Sequence, residues 1–260
     1  MKIWITGASS GIGEACAYEY ARQGASLVLT ARLKDRLETV AEECRRRGVS
    51  DVRMISYDLE KPEGIEELVG KAWNCFGGLD IVYLNAGVSQ RTRVEDTSMD
   101  MARKIMEINY FAPAAIAKAV LPRMIAAGGG KIAVTTSIAG RFGFPLRCAY
   151  SSSKFALYGY FESLQAENAG NNIKVTMVCP GRVKTNISLN ALDKGGVRHG
   201  QMDPGQAGGL DAGKAAKRIV KAIKKGKREV LIGRKELLMV YIKRFFPGLC
   251  ARISIKLKPL

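Results

Sequence analysis

Residues 2–13 read KIWITGASSGIG. The first five are mostly apolar and predict a short β-strand, and a helical pattern begins near Glu14. The glycines between strand and helix let the backbone turn tightly and let a ligand approach it closely. Because a helix N-terminus presents free N–H groups and the positive end of its dipole, this turn predicts a site for the pyrophosphate of a dinucleotide.

The glycine spacing is Gly-x3-Gly-x-Gly, formed by Gly7, Gly11 and Gly13. This differs from the commonest dinucleotide fingerprint, and an ordinary glycine-rich connection would also explain it. The turn nevertheless lies inside a strand–helix–strand unit of about 30 residues, which is the context that such a site requires. The context favours phosphate binding.

Length and composition predict one α/β domain, because 260 residues with 47% hydrophobic residues can build a single substantial core. The first strand starts at Lys2, which leaves no room for a secretory signal and predicts a cytoplasmic protein. Six scattered cysteines form no Cys-x-x-Cys pair and are expected to be reduced thiols. The single histidine, His199, argues against a metal site, and none is predicted.

The positive charge is concentrated at one end of the chain. The formal net charge is +17, and residues 214–260 contain 15 Lys or Arg but only two acids, Glu229 and Glu236. A nucleic-acid-binding face would not be confined to one end, so the asymmetry favours an anionic surface as partner and no nucleic acid.

The second strand, predicted at residues 26–30, is followed by Ala31 and Arg32. An acid at this strand end would accept a hydrogen bond from the ribose 2′-OH, whereas an arginine would pair with a 2′-phosphate. The acid is absent and Arg32 is present. The sequence therefore predicts NADP(H) rather than NAD(H), although Arg32 could also be a solvated strand-end residue.

Further strands, predicted at residues 52–57, 79–84 and 131–137, end in polar or small residues. Asp58 and Leu59 follow the first of them, Asn85-Ala86-Gly87 the second, and Ser137 closes the third. The carboxyl ends of parallel strands meet at the ligand-binding edge of a sheet. Asp58 could touch adenine there or cap the helix that starts near Pro62.

A long helical pattern over residues 101–127 contains Asn109 in its interior. Asparagine is a poor helix former, so it should either face solvent, kink the helix or hold a water molecule. A later helix, from Tyr150 to about Ala169, opens with Tyr150 and Lys154 on one face. A cation beside a phenol stabilises the phenolate and lowers its pKa, so this tyrosine could shuttle a proton at neutral pH.

A sixth strand at residues 174–179 leads to Pro180, Gly181, Val183 and Thr185. Residues 186–213, here called the lid segment, show no periodicity and are interpreted as an irregular cover over a site. A basic helix from Asp211 to Lys225 and a strand at residues 229–232 complete a catalytic domain at residues 1–233. A basic, apolar tail occupies residues 234–260.

Taken together, these motifs resemble the short-chain dehydrogenases/reductases in order and spacing over about residues 1–233. The matching segments are residues 6–13, Asp58, residues 85–87, Asn109, Ser137, Tyr150 with Lys154, and residues 180–185. The resemblance implies a single-domain Rossmann fold, with a doubly wound seven-stranded parallel sheet and helices on both faces. It also implies an oxidoreductase that transfers a hydride between a nicotinamide and a carbonyl or alcohol group, and a homodimer or homotetramer.

By the same resemblance, Tyr150 would be the proton donor or base, Lys154 its partner and a ribose ligand, and Ser137 the group that polarises the substrate carbonyl. Asn109 would anchor a proton-relay water, and Thr185 would hold the carboxamide. The residues expected to contact the cofactor are Gly7, Ser9, Ser10, Gly11, Ile12, Gly13, Arg32, Asp58, Leu59, Asn85, Ala86, Gly87, Tyr150, Lys154, Pro180, Gly181, Val183 and Thr185.

Two other functions remain open at this stage. A non-catalytic NADP(H)-binding regulator would need the phosphate site but not Tyr150. A membrane-surface protein would depend on the tail, whose interleaved apolar and basic residues also suit a lipid interface, a partner subunit or a cover for the substrate pocket. Apolar residues near the site, among them Phe142 and Phe144, predict a hydrophobic substrate such as a ketone, steroid, retinoid or acyl compound.

Overall fold

The computed structural model describes residues 1–49 and 51–256, with the side chain of Lys256 excepted. The strands are β1 (Lys2–Thr6), β2 (Ser26–Ala31), β3 (Val52–Ser56), β4 (Ile81–Leu84), β5 (Gly130–Thr135), β6 (Ile173–Pro180) and β7 (Glu229–Ile232). The α-helices are α1 (Gly11–Ala21), α2 (Lys34–Arg46), α3 (Ile65–Asn74), α4 (Met99–Met106), α5 (Ala112–Ala126), α6 (Cys148–Glu167), α7 (Pro204–Ala207), α8 (Ala212–Lys224), α9 (Leu238–Phe245) and α10 (Pro247–Lys256).

The strands form one seven-stranded sheet in the order β3-β2-β1-β4-β5-β6-β7, and every neighbouring pair is parallel. The chain winds outward from β1 to β3, returns to the centre at β4 and winds outward again. The strand order therefore reverses between β1 and β4, where a doubly wound sheet opens a crevice for a ligand. The predicted Rossmann architecture is confirmed.

Each face of the sheet is covered by helices, because the central strands are apolar on both sides. One core joins the sheet to α1, α2 and α8, with Ile5, Tyr20 and Ile219 fully buried. The other core joins it to α3, α5 and α6, and Trp4 and Phe161 lie at its centre. Trp4 also donates from Nε1 to the Thr30 hydroxyl at 2.9 Å, so its one polar atom is satisfied inside the core.

Several predicted boundaries differ from the structure, and three of the differences lie at candidate site residues. The helix expected near Glu14 begins at Gly11, inside the glycine turn, and β5 ends at Thr135 rather than Ser137. The single helix predicted over residues 101–127 is divided into α4 and α5 by a π-helical segment, Glu107–Phe111. Asn109 lies inside this segment and is buried, so of the alternatives that the sequence left open the structure shows a distorted helix and excludes exposure to solvent.

The lid segment has more structure than its sequence suggests. It contains a 3₁₀ turn at Lys194–Gly196 and the short helix α7, and Leu192 makes β-bridges with Gln90 and Arg198. The β-bridges of Leu192 are backbone contacts, and such contacts leave no periodic apolar pattern in the sequence. The prediction of a stretch without regular structure is therefore wrong in detail, and its role as a cover over a site stays a prediction.

The tail forms α9 and α10, and one face of this helical pair packs on the body of the domain. Leu237, Val240 and Cys250 belong to a cluster that also contains Ile138 and Phe142, which follow β5. The opposite face exposes a series of large apolar side chains: Leu238, Tyr241, Phe245, Phe246, Leu249 and Ile255. None of the helices within the described ranges combines the length and apolarity required to cross a bilayer. Residues 257–260 of the predicted tail lie outside the described residues.

Candidate active site

The glycine turn between β1 and α1 leaves no room for side chains. A Cβ atom on Gly13 would lie 2.3 Å from the Gly7 carbonyl oxygen, and both Gly7 (φ 64°) and Gly11 (φ 61°) have left-handed backbone conformations. Ser10 is the N-cap of α1, yet its side chain does not cap the helix. The first N–H groups of α1 are therefore open to an anion, and the turn fits a pyrophosphate.

The loop after β4 is bound directly to this turn. The Asn85 side-chain amide donates to the carbonyls of Thr6 and Gly7, both at 3.3 Å, and the Thr6 hydroxyl accepts from the backbone N–H groups of Asn85 and Ala86. A Cβ on Gly7 would lie 2.7 Å from the Ala86 Cα. Thr6 is thus a site residue that the predicted set omitted, although it precedes Gly7 directly.

The segment after β6 reaches the same turn from the other side. A Cβ on Gly11 would be 3.1 Å from Cγ2 of Thr185, whose hydroxyl accepts from Gln206 at 3.3 Å. Val183 is buried, and Gly181 packs against the carboxylate of Glu236. Residues 180–185, 85–87 and 7–13 are therefore brought together, as the motifs predicted.

The remaining predicted cofactor residues are more dispersed. Arg32 lies just past β2 with its side chain exposed, where it can reach a ligand that extends along the sheet edge. Asp58 accepts a hydrogen bond from the Glu60 backbone at 3.2 Å within its own turn, and Leu59 is buried in the core. In the glycine turn, Ser10 is exposed, and Ser9 and Ile12 are half-buried.

Tyr150 lies in the first turn of α6 and is 7% exposed. The Ser137 hydroxyl, which is also buried, lies near its phenol and acts to lower the pKa of that phenol. The Ser137 oxygen accepts from the Ala139 backbone N–H at 3.1 Å and lies 3.4 Å from the Pro180 carbonyl. The residues after β5 and β6 therefore fix the serine beside the tyrosine.

Lys154 occupies the next turn of α6, with its Nζ 5.8 Å from the centre of the Tyr150 ring. Its ammonium donates to the Thr135 carbonyl at 2.8 Å. Burial lowers the pKa of Lys154 to about 7. The lysine is therefore only partly charged at neutral pH in this structure.

The pKa of Tyr150 departs from the direction that the sequence predicted. Burial raises it above its ordinary value, while the Ser137 hydroxyl and the charges of Arg147 and Arg91 act in the opposite direction. Lys154 does not lower the pKa of Tyr150 as expected, because burial stabilises the neutral forms of both Tyr150 and Lys154. A phenol with a raised pKa is protonated at pH 7, which suits a proton donor.

Asn109 is held by three hydrogen bonds inside the π-helical segment. Its Oδ1 accepts from the Val88 backbone N–H at 2.8 Å, and its Nδ2 donates to the Val88 carbonyl at 2.9 Å and to the Ser153 hydroxyl at 3.0 Å. Ser153 in turn donates to the Tyr150 carbonyl at 2.7 Å. Ser153 is a second omitted residue, and it connects Asn109 to the helix that carries Tyr150 and Lys154.

A groove of about 550 Å³ lies on the outer side of α6, lined by Gly143, Phe144, Cys148, Ser151, Ser152 and Phe155. Helical spacing places Cys148, Ser152 and Phe155 on one stripe of α6 and Tyr150 on the opposite side. This groove is therefore separate from the site that contains the phenol.

These elements repeat the pattern of a known protein family. The family model described as short chain dehydrogenase matches residues 1–194. The chain belongs to this family.

Among curated proteins, "Dehydrogenase/reductase SDR family member 7B" of Mus musculus is 39% identical over 253 residues, which cover 96% of this chain and 78% of that protein. "Dehydrogenase/reductase SDR family protein 7-like" of Drosophila melanogaster is 35% identical over 258 residues, covering 98% and 79%. The chain is therefore an oxidoreductase of the short-chain dehydrogenase/reductase family, whose members bind a nicotinamide cofactor.

Two solved structures are similar in fold. An alcohol dehydrogenase from Thermococcus sibiricus, complexed with 5-hydroxy-NADP, has a TM-score of 0.77 at 30% identity. The match covers 90% of this chain and 96% of that chain. A short-chain dehydrogenase/reductase from Burkholderia phymatum, in complex with NAD, has a TM-score of 0.83 at 23% identity and covers 100% and 96%. The second similarity concerns the fold alone.

Proposed function

We propose that this protein is an NADP(H)-dependent carbonyl reductase or alcohol dehydrogenase with a hydrophobic substrate. Tyr150 gives a proton to the carbonyl oxygen during reduction, or takes it from the alcohol during oxidation. Ser137 donates a hydrogen bond to the same oxygen. The nicotinamide, when bound, supplies or accepts the hydride.

The observation that carries this proposal is the buried phenol of Tyr150, with the buried Ser137 hydroxyl near it and Lys154 one helical turn later. Tyr150 is protonated at neutral pH, since its pKa is raised, and therefore carries the proton that reduction of a carbonyl group requires. A protein that only sensed the cofactor would need the glycine turn without this arrangement. The non-catalytic alternative is therefore less well supported.

The glycine turn, residues 85–87 and Thr185 would hold the cofactor along the carboxyl ends of the strands. Arg32 supports NADP(H), because it is exposed beyond β2 where a 2′-phosphate would lie and its guanidinium can bind phosphate. For Asn109, we propose that its backbone anchors the relay water, since both side-chain amide hydrogens are already donated.

The apolar cluster around Ile138 and Phe142 supports a hydrophobic substrate, since it begins one residue after Ser137. The decisive assay incubates the purified protein with NADPH and a panel of ketones, steroids, retinoids and 3-oxoacyl thioesters, and measures the loss of NADPH absorbance. We expect turnover of at least one apolar carbonyl compound, and none by Tyr150→Phe. Cofactor binding without turnover of any substrate would instead support the regulator.

We also propose that the exposed face of α9 and α10 lies on an anionic membrane surface from the cytoplasmic side. Phe245 and Phe246 are 69% and 63% exposed, and Lys243 and Arg244 directly precede them. Aromatic and basic residues together suit the lipid interface, where each basic residue adds about 1 kcal/mol near anionic lipid. The opposite face of the same helices is already buried on the domain.

Liposome co-sedimentation tests this contact. We expect binding to anionic vesicles that weakens at high salt and is lost in a Phe245→Ser/Phe246→Ser variant. Substitution is preferable to removal of residues 236–260, because the Glu236 carboxylate accepts from the Arg182 backbone at 2.9 Å beside the site. If the unmodified protein does not bind vesicles and the oligomer dissociates in the Phe245→Ser/Phe246→Ser variant, this face lies at a subunit interface. Light scattering on the unmodified protein checks the expected homodimer or homotetramer.

A further inference from the structure

A group of three charged side chains, two of them buried and one partly exposed, lies beside the proposed site. Arg91 is 5% exposed and Asp203 is 7% exposed, and the guanidinium of Arg91 binds both oxygens of the carboxylate, with Nε 3.2 Å from Oδ1. Arg147 also donates to Asp203, with Nη2 3.2 Å from Oδ2. Two arginines thus share one buried carboxylate, and the side chain of Arg147 is 22% exposed.

The three residues come from three separate parts of the chain. Asp203 belongs to the lid segment, Arg91 to the loop after β4, and Arg147 is the N-cap of α6, three residues before Tyr150. The carboxylate therefore joins the lid segment to the helix that carries the proposed proton donor.

Backbone contacts reinforce the same connection. The Arg91 backbone N–H donates to the Leu192 carbonyl at 2.8 Å, and the Leu192 N–H donates to the Ser89 carbonyl at 2.9 Å. The adjacent Gln90 accepts from the Tyr150 backbone N–H at 3.2 Å through Oε1. A displacement of the lid segment would therefore act on the first turn of α6.

Such an arrangement adds little to the stability of the fold, because the free energy required to remove the charges from water offsets much of their mutual attraction. Arg147 is partly withdrawn from solvent, and its Nε has no hydrogen-bond partner among the described residues. Arg182 adds a third positive charge that acts on Arg147. The arrangement therefore keeps more positive than negative charge beside the phenol.

Several groups face Tyr150 from the elements around it. The Ser137 hydroxyl and the positive charges of Arg147 and Arg91 all favour the phenolate. Cys179, at the end of β6, acts in the opposite direction. Lys154 follows on α6, and the carboxylate of Asp203 offsets part of the arginine charge.

We propose that Asp203, Arg91 and Arg147 form a latch that holds the lid segment against the catalytic helix and fixes the arginine charges beside Tyr150. Arg147 is then a positioning residue that acts through the tyrosine. The attachment of the lid segment to α6 depends only on the folded chain, so it can be measured without turnover. The effect on proton transfer rests on the proposed function.

Limited trypsin digestion tests the closing of the lid segment, which contains cleavage sites at Lys194 and Arg198. We expect Asp203→Asn to increase the initial cleavage rate at these sites at least tenfold. The matched control is Asp100→Asn, which removes a carboxylate from the exposed Asp100–Arg103 pair and should leave the rate unchanged. Equal cleavage of Asp203→Asn and the unmodified protein would overturn the latch.

Circular dichroism establishes that each variant is folded. If Asp203→Asn does not fold, Arg147→Gln serves in the same digestion, because it leaves the Arg91–Asp203 pair in place. We then expect a smaller increase, about threefold or more. An unchanged rate would contradict the latch in this variant as well.

The pH dependence of alcohol oxidation tests the effect on Tyr150. Oxidation requires the basic form of the phenol, so kcat/KM should rise with pH through its pKa. Loss of a nearby positive charge disfavours the phenolate, so Arg147→Gln should move this rise to higher pH, whereas Arg147→Lys should restore it. Arg103→Gln, the matched surface variant, should leave it in place.

A purely structural role for Arg147 would lower kcat/KM equally at every pH, and that result would overturn the positioning role. If the unmodified protein oxidises no alcohol and reduces no carbonyl compound, the proposed function fails, while the digestion experiment still decides whether the latch exists.

Discussion

The Lys154 ammonium donates to the carbonyl of Thr135, the last residue of β5, at 2.8 Å. The Thr135 hydroxyl donates to Oδ1 of Asn85 at 3.1 Å, and Asn85 is bound to the glycine turn. One lysine thus connects the helix that carries Tyr150 to the strand ends that form the cofactor site. The lysine is buried, which determines how its charge responds to pH.

Lys154→Met should flatten the dependence of stability on pH above neutrality. Burial lowers the pKa of Lys154 to about 7 from an ordinary value of 10.5, so between these values the unfolded chain binds more protons than the native protein. The free energy of unfolding of the unmodified protein should therefore gain a contribution that rises with pH, by at most about 1.4 kcal/mol per unit.

Urea unfolding at pH 7.0, 7.5, 8.0 and 8.5 measures this slope, within a range that stays below the ordinary pKa values of tyrosine and cysteine. Lys118→Met, which removes an exposed lysine, serves as the control and should keep the slope of the unmodified protein. Parallel slopes for Lys154→Met and the unmodified protein would show that this lysine does not titrate in that range.

Arg32→Ala should weaken NADPH binding by about tenfold to a hundredfold and leave NADH binding nearly unchanged. A charge-assisted contact with the 2′-phosphate is worth a few kcal/mol, and NADH lacks that group. Titration of both cofactors by fluorescence gives the two dissociation constants. Equal affinity of the unmodified protein for NADPH and NADH would contradict the preference that motivates this variant.

Gly13→Ala should abolish cofactor binding and destabilise the fold by several kcal/mol, because its Cβ would lie 2.3 Å from the Gly7 carbonyl and 2.5 Å from the Asn85 amide nitrogen. Gly159→Ala is the matched control within a helix. A Cβ there meets nothing within 4 Å, so this variant should gain about 0.5–1 kcal/mol and bind cofactor normally. Thermal unfolding with and without cofactor measures both effects; similar behaviour of the two variants would refute the steric argument.

Ser153→Ala should destabilise the protein by about 1–3 kcal/mol. The substitution leaves one Asn109 amide hydrogen and the Tyr150 carbonyl without the hydroxyl that now binds both, and Ser153 is fully buried. Ser152→Ala removes an exposed hydroxyl that binds only the Cys148 carbonyl and should cost less than about 0.5 kcal/mol. Chemical denaturation compares the two, and equal losses would mean that Ser153 does not support Asn109.

The sheet could be predicted because its signals are local. Each strand is a short apolar run, and the helical patterns between these runs require parallel pairing. The motif residues also identified the site, since the ends of β1, β4 and β6 necessarily meet at one edge of such a sheet. The boundary errors at Gly11 and Ser137 arise where the backbone turns from one element into the next.

Two properties could not be predicted from the sequence. The pKa of Tyr150 depends mainly on how deeply the phenol is buried. The spacing of residues along the sequence does not indicate this burial. The pairing of Arg91 with Asp203 joins residues 112 positions apart, and neither lies in a recognisable motif. Packing of the lid segment creates this contact, and no local sequence pattern indicates it.

The π-helical segment at Glu107–Phe111 sets the rotational register between α4 and α5. Such a segment corresponds to one residue inserted into a regular helix, and each residue turns an α-helix by about 100°. Deletion of one residue from it would restore an unbroken helix and rotate every following side chain of α5 to a new direction. Ile116 and Val120, now fully buried against the sheet, would leave the core. The length of this stretch is therefore constrained as strictly as the identity of Asn109, whose side chain makes three hydrogen bonds.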